Sequence, residues 1–372
     1  MTNQPFINSV CDYIFIDLGM EQHKIKVGIT HGDINGIGYE VIIKALADSR
    51  ILEMCTPVVY GSPKVAAYYR KAMDSEIFTF NQVNTAKEAN PKRVNIINCM
   101  NDDVRVELGK STKQAGEAAL AALEAAVRDL KSGEIDVVVT APINKENIQS
   151  ESFHFPGHTD YFAKEFGAKN FLMLMVSDIL KVGVVTGHIP LGQVVSLITK
   201  EKILSNLRVL HKTMLEDFSI HKPRIAVLGL NPHAGDGGLI GDEEQRIILP
   251  AIKQANDEGI IALGPYPADG FFGSGEFRKF DATLAMFHDQ GLIPFKSFAF
   301  ESGVNYTAGL PIIRTSPGHG TAYSLAGTGT ASEESFRNAL YLAIDLFENR
   351  RQYKDLSKNP LQRHEIDRTG GE

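Results

Sequence analysis

The sequence predicts an α/β chain with a largely parallel sheet. From Lys24 onward short apolar runs alternate with amphipathic stretches, the pattern of successive βα units. Several of those runs also stop at Gly/Pro loops carrying histidines, where open α/β sheets place functional groups. Lys24 to Thr30 is a strand, His31 to Gly38 a Gly-rich loop and Tyr39 to Leu46 a helix, with a second strand at Thr56 to Tyr60. The alanine-rich run from Ser111 to Leu130 is a helix, capped by Ser111 or Thr112 and stopped by Gly133, and Ile135 to Thr140 is a buried strand ending at Ala141-Pro142. Phe171 to Val176 and Val182 to Val185 flank a turn, Lys200 to Phe218 is helical and Arg224 to Leu228 is a strand. A helix at Asp242 to Ala255, a strand at Thr283 to Met286 and a helix at Ser332 to Glu348 follow. Residues 349–372 are polar and expected to fray. No repeat or low-complexity linker marks a domain boundary, so if there are two lobes the chain passes between them more than once.

With 43% hydrophobic and 22% charged residues, the 372-residue chain has the composition of a globular protein. A net charge of -7 and the lack of a Lys/Arg run exclude a nucleic-acid footprint. No uncharged apolar stretch is long enough to span a membrane. Cys11, Cys55 and Cys99 have no metal or disulfide spacing, which fits a reducing cytoplasm. Residues 1–23 have no basic start and are interrupted by Asp12 and Asp17, unlike a secretory signal. They read as a loosely ordered extension, either a genuine arm or the result of a start upstream of Met20.

Three histidines follow apolar strands directly: His188 in VVTGHIPL, His233 in LGLNPHAGDGG and His288 in LAMFHDQG. Three imidazoles can hold a divalent ion and leave a position for a substrate oxygen. They can equally be three separate hydrogen-bonded strand-end histidines. Asp269 and Asp289 are candidates to orient an imidazole at a catalytic site, or loop caps. A second set suits a phosphorylated or carboxylated substrate: His158 and Thr159, then Lys296, Asn305 and Arg314, whose flanks are apolar or Gly-rich. The loop THGDINGIG lacks the spacing of a dinucleotide fingerprint, so the fold is not expected to be a Rossmann fold. The run from Ser316 to Ser332 is a second Gly-rich loop that could wrap a nucleotide through backbone amides.

The ordered set THGDINGIGYE, GHTDYFA, TGHIPL, GLNPHAGDGG with GDEE, GPYPADGFF, AMFHDQGLIPFK and GVNYTAGLPIIRTSPGHGTAYSLAGTG, from about Lys24 to about Leu346, resembles the 4-hydroxythreonine-4-phosphate dehydrogenase family of pyridoxal phosphate biosynthesis. The resemblance implies a two-lobed fold similar to isocitrate and isopropylmalate dehydrogenases over residues 24–348, and a homodimer whose cleft is completed by the partner. It implies NAD, with NADP open, bound by the loop carrying His319, Gly320, Thr321, Ala322 and Gly327. It also implies one divalent ion on His188, His233 and His288, one of them reaching across the dimer. Three imidazoles suit zinc, while substrate oxygens could complete a site for cobalt, manganese or magnesium. The substrate positions match His158, Thr159, Lys296, Asn305 and Arg314, with His158 also at the catalytic centre and Lys296 the candidate for proton transfer or alkoxide stabilisation, or else an anion anchor. The implied reaction is oxidation and decarboxylation of 4-phosphooxy-L-threonine. A sister activity on 4-phospho-D-threonate and a metal-dependent lyase without a redox step are the rivals. His31, Ile34, Asn35 and Tyr39 in the first loop, and Gly318 before HGTA, depart from the family pattern and bear on specificity.

Overall fold

The structure, a computed structural model, describes residues 24–73, 79–101, 103–151 and 153–360. The expected N-terminal extension lies outside the described residues. The first part of the chain runs β1 (Ile25–Thr30), α1 (Gly38–Leu46), α2 (Ile51–Met54), β2 (Cys55–Gly61), α3 (Pro63–Ala72), β3 (Asn81–Val83), β4 (Asn95–Asn98), α4 (Lys113–Lys131) and β5 (Val137–Thr140). It continues through α5 (His158–Glu165), β6 (Leu172–Val176), β7 (Lys181–Thr186), α6 (Leu191–Leu197), α7 (Lys200–Glu216), β8 (Arg224–Leu228), α8 (Leu249–Asp257), β9 (Ile261–Tyr266), α9 (Ala268–Gly273) and β10 (Ala282–Phe287). It closes with α10 (His288–Ala299), β11 (Val304–Ala308), β12 (Arg314–Pro317) and α11 (Glu334–Leu356).

All strands join one sheet in the order β3-β4-β2-β1-β5-β12-β11-β6-β7-β10-β8-β9. Each end is parallel, as long apolar strands covered by helices on both faces should be. The middle is not: β11 runs antiparallel to both β12 and β6, and β6 antiparallel to β7. That seam exists because the chain leaves the first parallel half after β5, builds the second, and returns with β12 beside β5. The order is not that of a doubly wound dinucleotide-binding sheet.

The expected elements form close to their sequence signals. Thr112 Oγ1 accepts from Ala115 N at 3.2 Å and caps α4. On the same helix Gly116 lets the loop after β5 approach, since a Cβ there would lie 1.9 Å from the Asn147 carbonyl. Two expectations need correction. The helix expected from Asp242 begins instead as a π-helical turn, Glu244–Ile248, before α8. Pro250 has no N–H for the Arg246 carbonyl, and the wider turn aims Glu244 inward. The C-terminal helix also continues past Glu348 to Leu356 rather than fraying. Its extension is anchored by Arg350, which donates to both oxygens of buried Asp217 at 2.7 and 3.0 Å, while the Tyr306 hydroxyl donates to the same carboxylate at 2.6 Å.

Beneath the loop after β1, His31, Tyr39 and Tyr69 stack at centroid distances of 5.3 and 5.6 Å. The Tyr69 hydroxyl reaches the carbonyls of Ile34 and Gly36, fixing the loop from below. Burial lowers the His31 pKa to about 4. Because that is below its unfolded value, the associated stability is complete above pH 6.5 and is lost as pH falls toward 4. It amounts to about 3 kcal/mol. His31→Phe, which keeps a ring on Tyr39, is expected to lose this part of the pH slope when urea midpoints are followed between pH 7 and 4. An unchanged slope would remove His31 as its source.

Candidate active site

A cleft of about 280 Å³ opens at the antiparallel seam. Its walls bring together seven of the residues singled out in the sequence for catalysis, substrate or metal: His158, Thr159, His188, His288, Lys296, Asn305 and Arg314, along with His319 and Gly320. They come from opposite halves of the sheet, which is why they are scattered in sequence.

Arg314, at the start of β12, is only 2% exposed and has no carboxylate partner among the described residues. Its Nε and Nη2 donate to Thr140 Oγ1 at 3.0 and 2.7 Å, and Nη1 donates to Thr307 Oγ1 at 3.3 Å. Burial without a counter-charge lowers its pKa to about 9. Hydroxyls can position a guanidinium but cannot neutralise it, so the site is built for an anion. Beside it His158 opens α5, buried, with Nε2 unpartnered. Burial, then the charges of Arg314 and Lys145, holds its pKa well below the usual imidazole range, leaving a neutral ring. Thr159 lies 3.5 Å, oxygen to oxygen, from Thr307. Asn305 Oδ1 is also buried without a partner.

On the facing wall the His188 and His288 rings stand 5.5 Å apart, centroid to centroid. Burial, then Lys145 and His288, lowers the His188 pKa. His288 Nδ1 lies 2.6 Å from Asp289 Oδ1, so Asp289 orients this ring. Two imidazoles on one wall fit two positions of a divalent-ion site. Among the described residues of one chain, no group of three or more His, Cys, Asp or Glu side chains is gathered to hold a metal.

His233 is not in this cleft. It lies exposed in a turn where His233, Ala234 and Asp236 have φ of 53, 50 and 44°, a left-handed run that projects the segment away from the strand ends. Glu244 holds that turn rigid by accepting from Leu230 N, Asn231 N and Asn231 Nδ2 at 2.8, 2.7 and 3.0 Å. Asp269, exposed in the first turn of α9, does not line the cleft either.

Of the five loop residues expected to bind nucleotide, His319 and Gly320 line the cleft, after Ser316, Pro317 and Gly318; Thr321, Ala322 and Gly327 fall outside it and pack toward the loops after β1 and before α4. Ile37 N donates to the Thr321 carbonyl at 3.0 Å, and a Cβ on Gly327 would strike Leu108. Tyr323 donates to Asp33 Oδ2 at 2.7 Å, and Asn147 Nδ2 donates to the same oxygen at 2.8 Å. Asp33 therefore ties together the loops after β1, β5 and β12. His319 Nε2 is unpartnered and a Cβ on Gly320 would meet nothing, leaving room for a ligand against this loop. Sequence reasoning missed Lys145, Thr140 and the Asp33 clasp. The signal available was the strand-to-loop junction VVVTAPINK, which resembles the other functional strand ends.

The profile described as pyridoxal phosphate biosynthetic protein PdxA matches residues 53–343. The chain belongs to the PdxA family. A Bacteroides thetaiotaomicron relative named 4-hydroxythreonine-4-phosphate dehydrogenase is 56% identical over 345 residues, 92% of this chain and 94% of the relative. An Oceanobacillus iheyensis relative, provisionally named D-threonate 4-phosphate dehydrogenase, is 40% identical over 86% of this chain and 97% of its own length. The crystal structure of a 4-hydroxythreonine-4-phosphate dehydrogenase from Klebsiella pneumoniae superposes with a TM-score of 0.77 at 34% identity, covering 87% of this chain and 98% of that one. The PdxA fold is thus the fold described above, and the chain is a dehydrogenase of this biosynthetic family.

Removing the clasp should loosen this loop selectively. Asp33→Ala is expected to raise amide hydrogen exchange across residues 319–327 by about tenfold or more, the loss of buried hydrogen bonds worth 1 to 3 kcal/mol. Protection of β5 and β12 should persist. Unchanged exchange in the loop would show that the clasp does not hold it.

Proposed function

We propose that the protein oxidises 4-phosphooxy-L-threonine with NAD, giving 2-amino-3-oxo-4-phosphooxybutanoate, which loses carbon dioxide to yield 3-amino-2-oxopropyl phosphate in pyridoxine 5'-phosphate biosynthesis. The observation that carries this reading is the buried, carboxylate-free Arg314 in a cleft shared with a neutral His158 and the His188–His288 pair. A small acid bearing a phosphate supplies the missing anion.

His188 and His288 would hold a divalent cation, zinc by ligand type, with His233 brought from a second copy of the chain. When bound, the cation polarises the substrate hydroxyl and NAD accepts the C3 hydride. The chain's own residues do the rest. Arg314 binds an anionic group of the substrate and Thr159 adds a hydroxyl beside it. The free Nε2 of His158 makes a directional hydrogen bond without adding charge. Lys296, on α10 beside the imidazole pair, takes the hydroxyl proton and returns a proton to carbon after carbon dioxide leaves. The loop from His319 to Gly327 receives the nucleotide.

This reading calls for a homodimer. His233, exposed on a turn held by Glu244 and outside the cleft of its own chain, is accessible to a second copy. Exposed apolar side chains flank both it and His188: Leu239 and Ile240 beyond the turn, Leu191 and Val195 on α6. Such surface is expected to be covered by a partner.

The test is NADH absorbance with 4-phosphooxy-L-threonine, with and without chelator, and with 4-phospho-D-threonate in parallel. Turnover requiring NAD and the L substrate, and abolished by chelation, is expected. Preference for the D substrate would assign the sister activity, and carbon dioxide release without NAD would assign a lyase. Mixing inactive His233→Ala and Lys296→Ala dimers should restore up to about a quarter of the activity, because a heterodimer keeps one intact shared site. No restoration after subunit exchange would contradict sharing.

A further inference from the structure

We propose that Lys145 is a substrate-binding residue, the cation that closes over a phosphate group seated between Arg314 and the N-terminus of α5. The proposal rests on the reading of the cleft as the site of a phosphorylated substrate. It adds a residue that neither the strand-end histidines nor the anion constellation included.

Lys145 lies in the loop after β5 and lines the cleft with His158 and Arg314. Among the described residues its ammonium makes no hydrogen bond or ion pair, although Asp160 also lines the cleft. The side chain crosses the start of α5: Lys145 Cε lies 3.6 Å from where a Cβ on Gly157 would stand. Gly157 gives α5 no side-chain cap, so the first-turn N–H groups have no side-chain acceptor there. The buried His158, with Nε2 unpartnered, and the buried Arg314 converge on the same place. The lysine's backbone is held independently of any ligand. Asn147, two residues on, donates to Asp33, and its carbonyl presses on Gly116 of α4.

Charge and hydrogen-bond donors decide which anion the place suits. Arg314 and Lys145 present two positive charges beside a neutral imidazole, against one lining carboxylate, Asp160, so the place favours an anion, and the uncapped N–H groups of α5 add donors that suit the several oxygens of a phosphate better than the two of a carboxylate. Lys296 lines the same cleft from α10, the helix that begins at His288.

The experiment is calorimetric titration of the full-length protein with inorganic phosphate and, separately, with acetate. Lys145→Ala is expected to weaken phosphate binding about tenfold or more and acetate binding no more than about twofold, with Lys145→Arg restoring most of the phosphate affinity. With the phosphorylated substrate the Ala variant should raise KM about tenfold and leave kcat within about threefold. Three results would overturn the proposal: no phosphate binding by the unmodified protein, equal phosphate affinity in the Ala variant, or a collapse of kcat at unchanged KM, which would make Lys145 a proton carrier. Because phosphate binding is measured without turnover, failure of the dehydrogenase reading would leave this test intact.

Discussion

A guanidinium at the seam of the sheet, buried and paired only with hydroxyls, is the constraint around which this structure is arranged. An uncompensated buried charge costs several kcal/mol unless something anionic reaches it. Thr140 and Thr307 satisfy the donors of Arg314 geometrically and leave its charge unmatched. The sheet topology explains why this is possible. Two parallel halves meet through antiparallel β11 and β6, so strand ends from both halves open onto one cleft, and a side chain on β12 is buried by the sheet yet faces that opening.

The surrounding loops are fixed by buried polar contacts rather than by apolar packing. Asp33 gathers three loops through Tyr323, Asn147 and the Asn35 amide. Glu244 does the same for the turn bearing His233. Both carboxylates are buried and accept hydrogen bonds from neutral donors, which gives direction and rigidity without nearby counter-ions that would compete for an anionic ligand. The first loop's departures from the family pattern belong to this scheme. His31 and Tyr39 stack beneath the loop carrying Asp33, so they act on its support and not on the cleft surface.

Much of this was legible in the sequence where local signal and tertiary need agree. β1, β8 and β10 are apolar runs, and α4 has both its cap and a helical period, so each appears where the pattern puts it. β12 was hidden because RTSP is polar almost throughout, and β11 because VNYTA, although it alternates, is only five residues long and lies between Gly303 and Gly309. The start of α10 was hidden for a related reason: it begins at His288 with no side-chain cap and contains Pro294. The end of α11 depends on Arg350 meeting Asp217, a contact between residues distant in sequence. Among site residues, histidines at strand ends were conspicuous. Lys145 was not, because its signal is the strand-to-loop junction VVVTAPINK as a whole, and an exposed lysine within that loop carries no mark of its own. The position of His233 outside the single-chain cleft is a property of the left-handed turn that holds it.

If Arg314 serves an incoming anion, it serves against the stability of the free protein. The most direct measurement is the thermal midpoint of Arg314→Met, with and without a phosphate ester, beside that of the unmodified chain. The account predicts a free variant at least as stable as the parent and far less stabilised by the ligand than the parent is. A free variant destabilised like a core truncation, or one stabilised by the ester as much as the parent, would show that Arg314 is a structural residue and that the anion binds elsewhere.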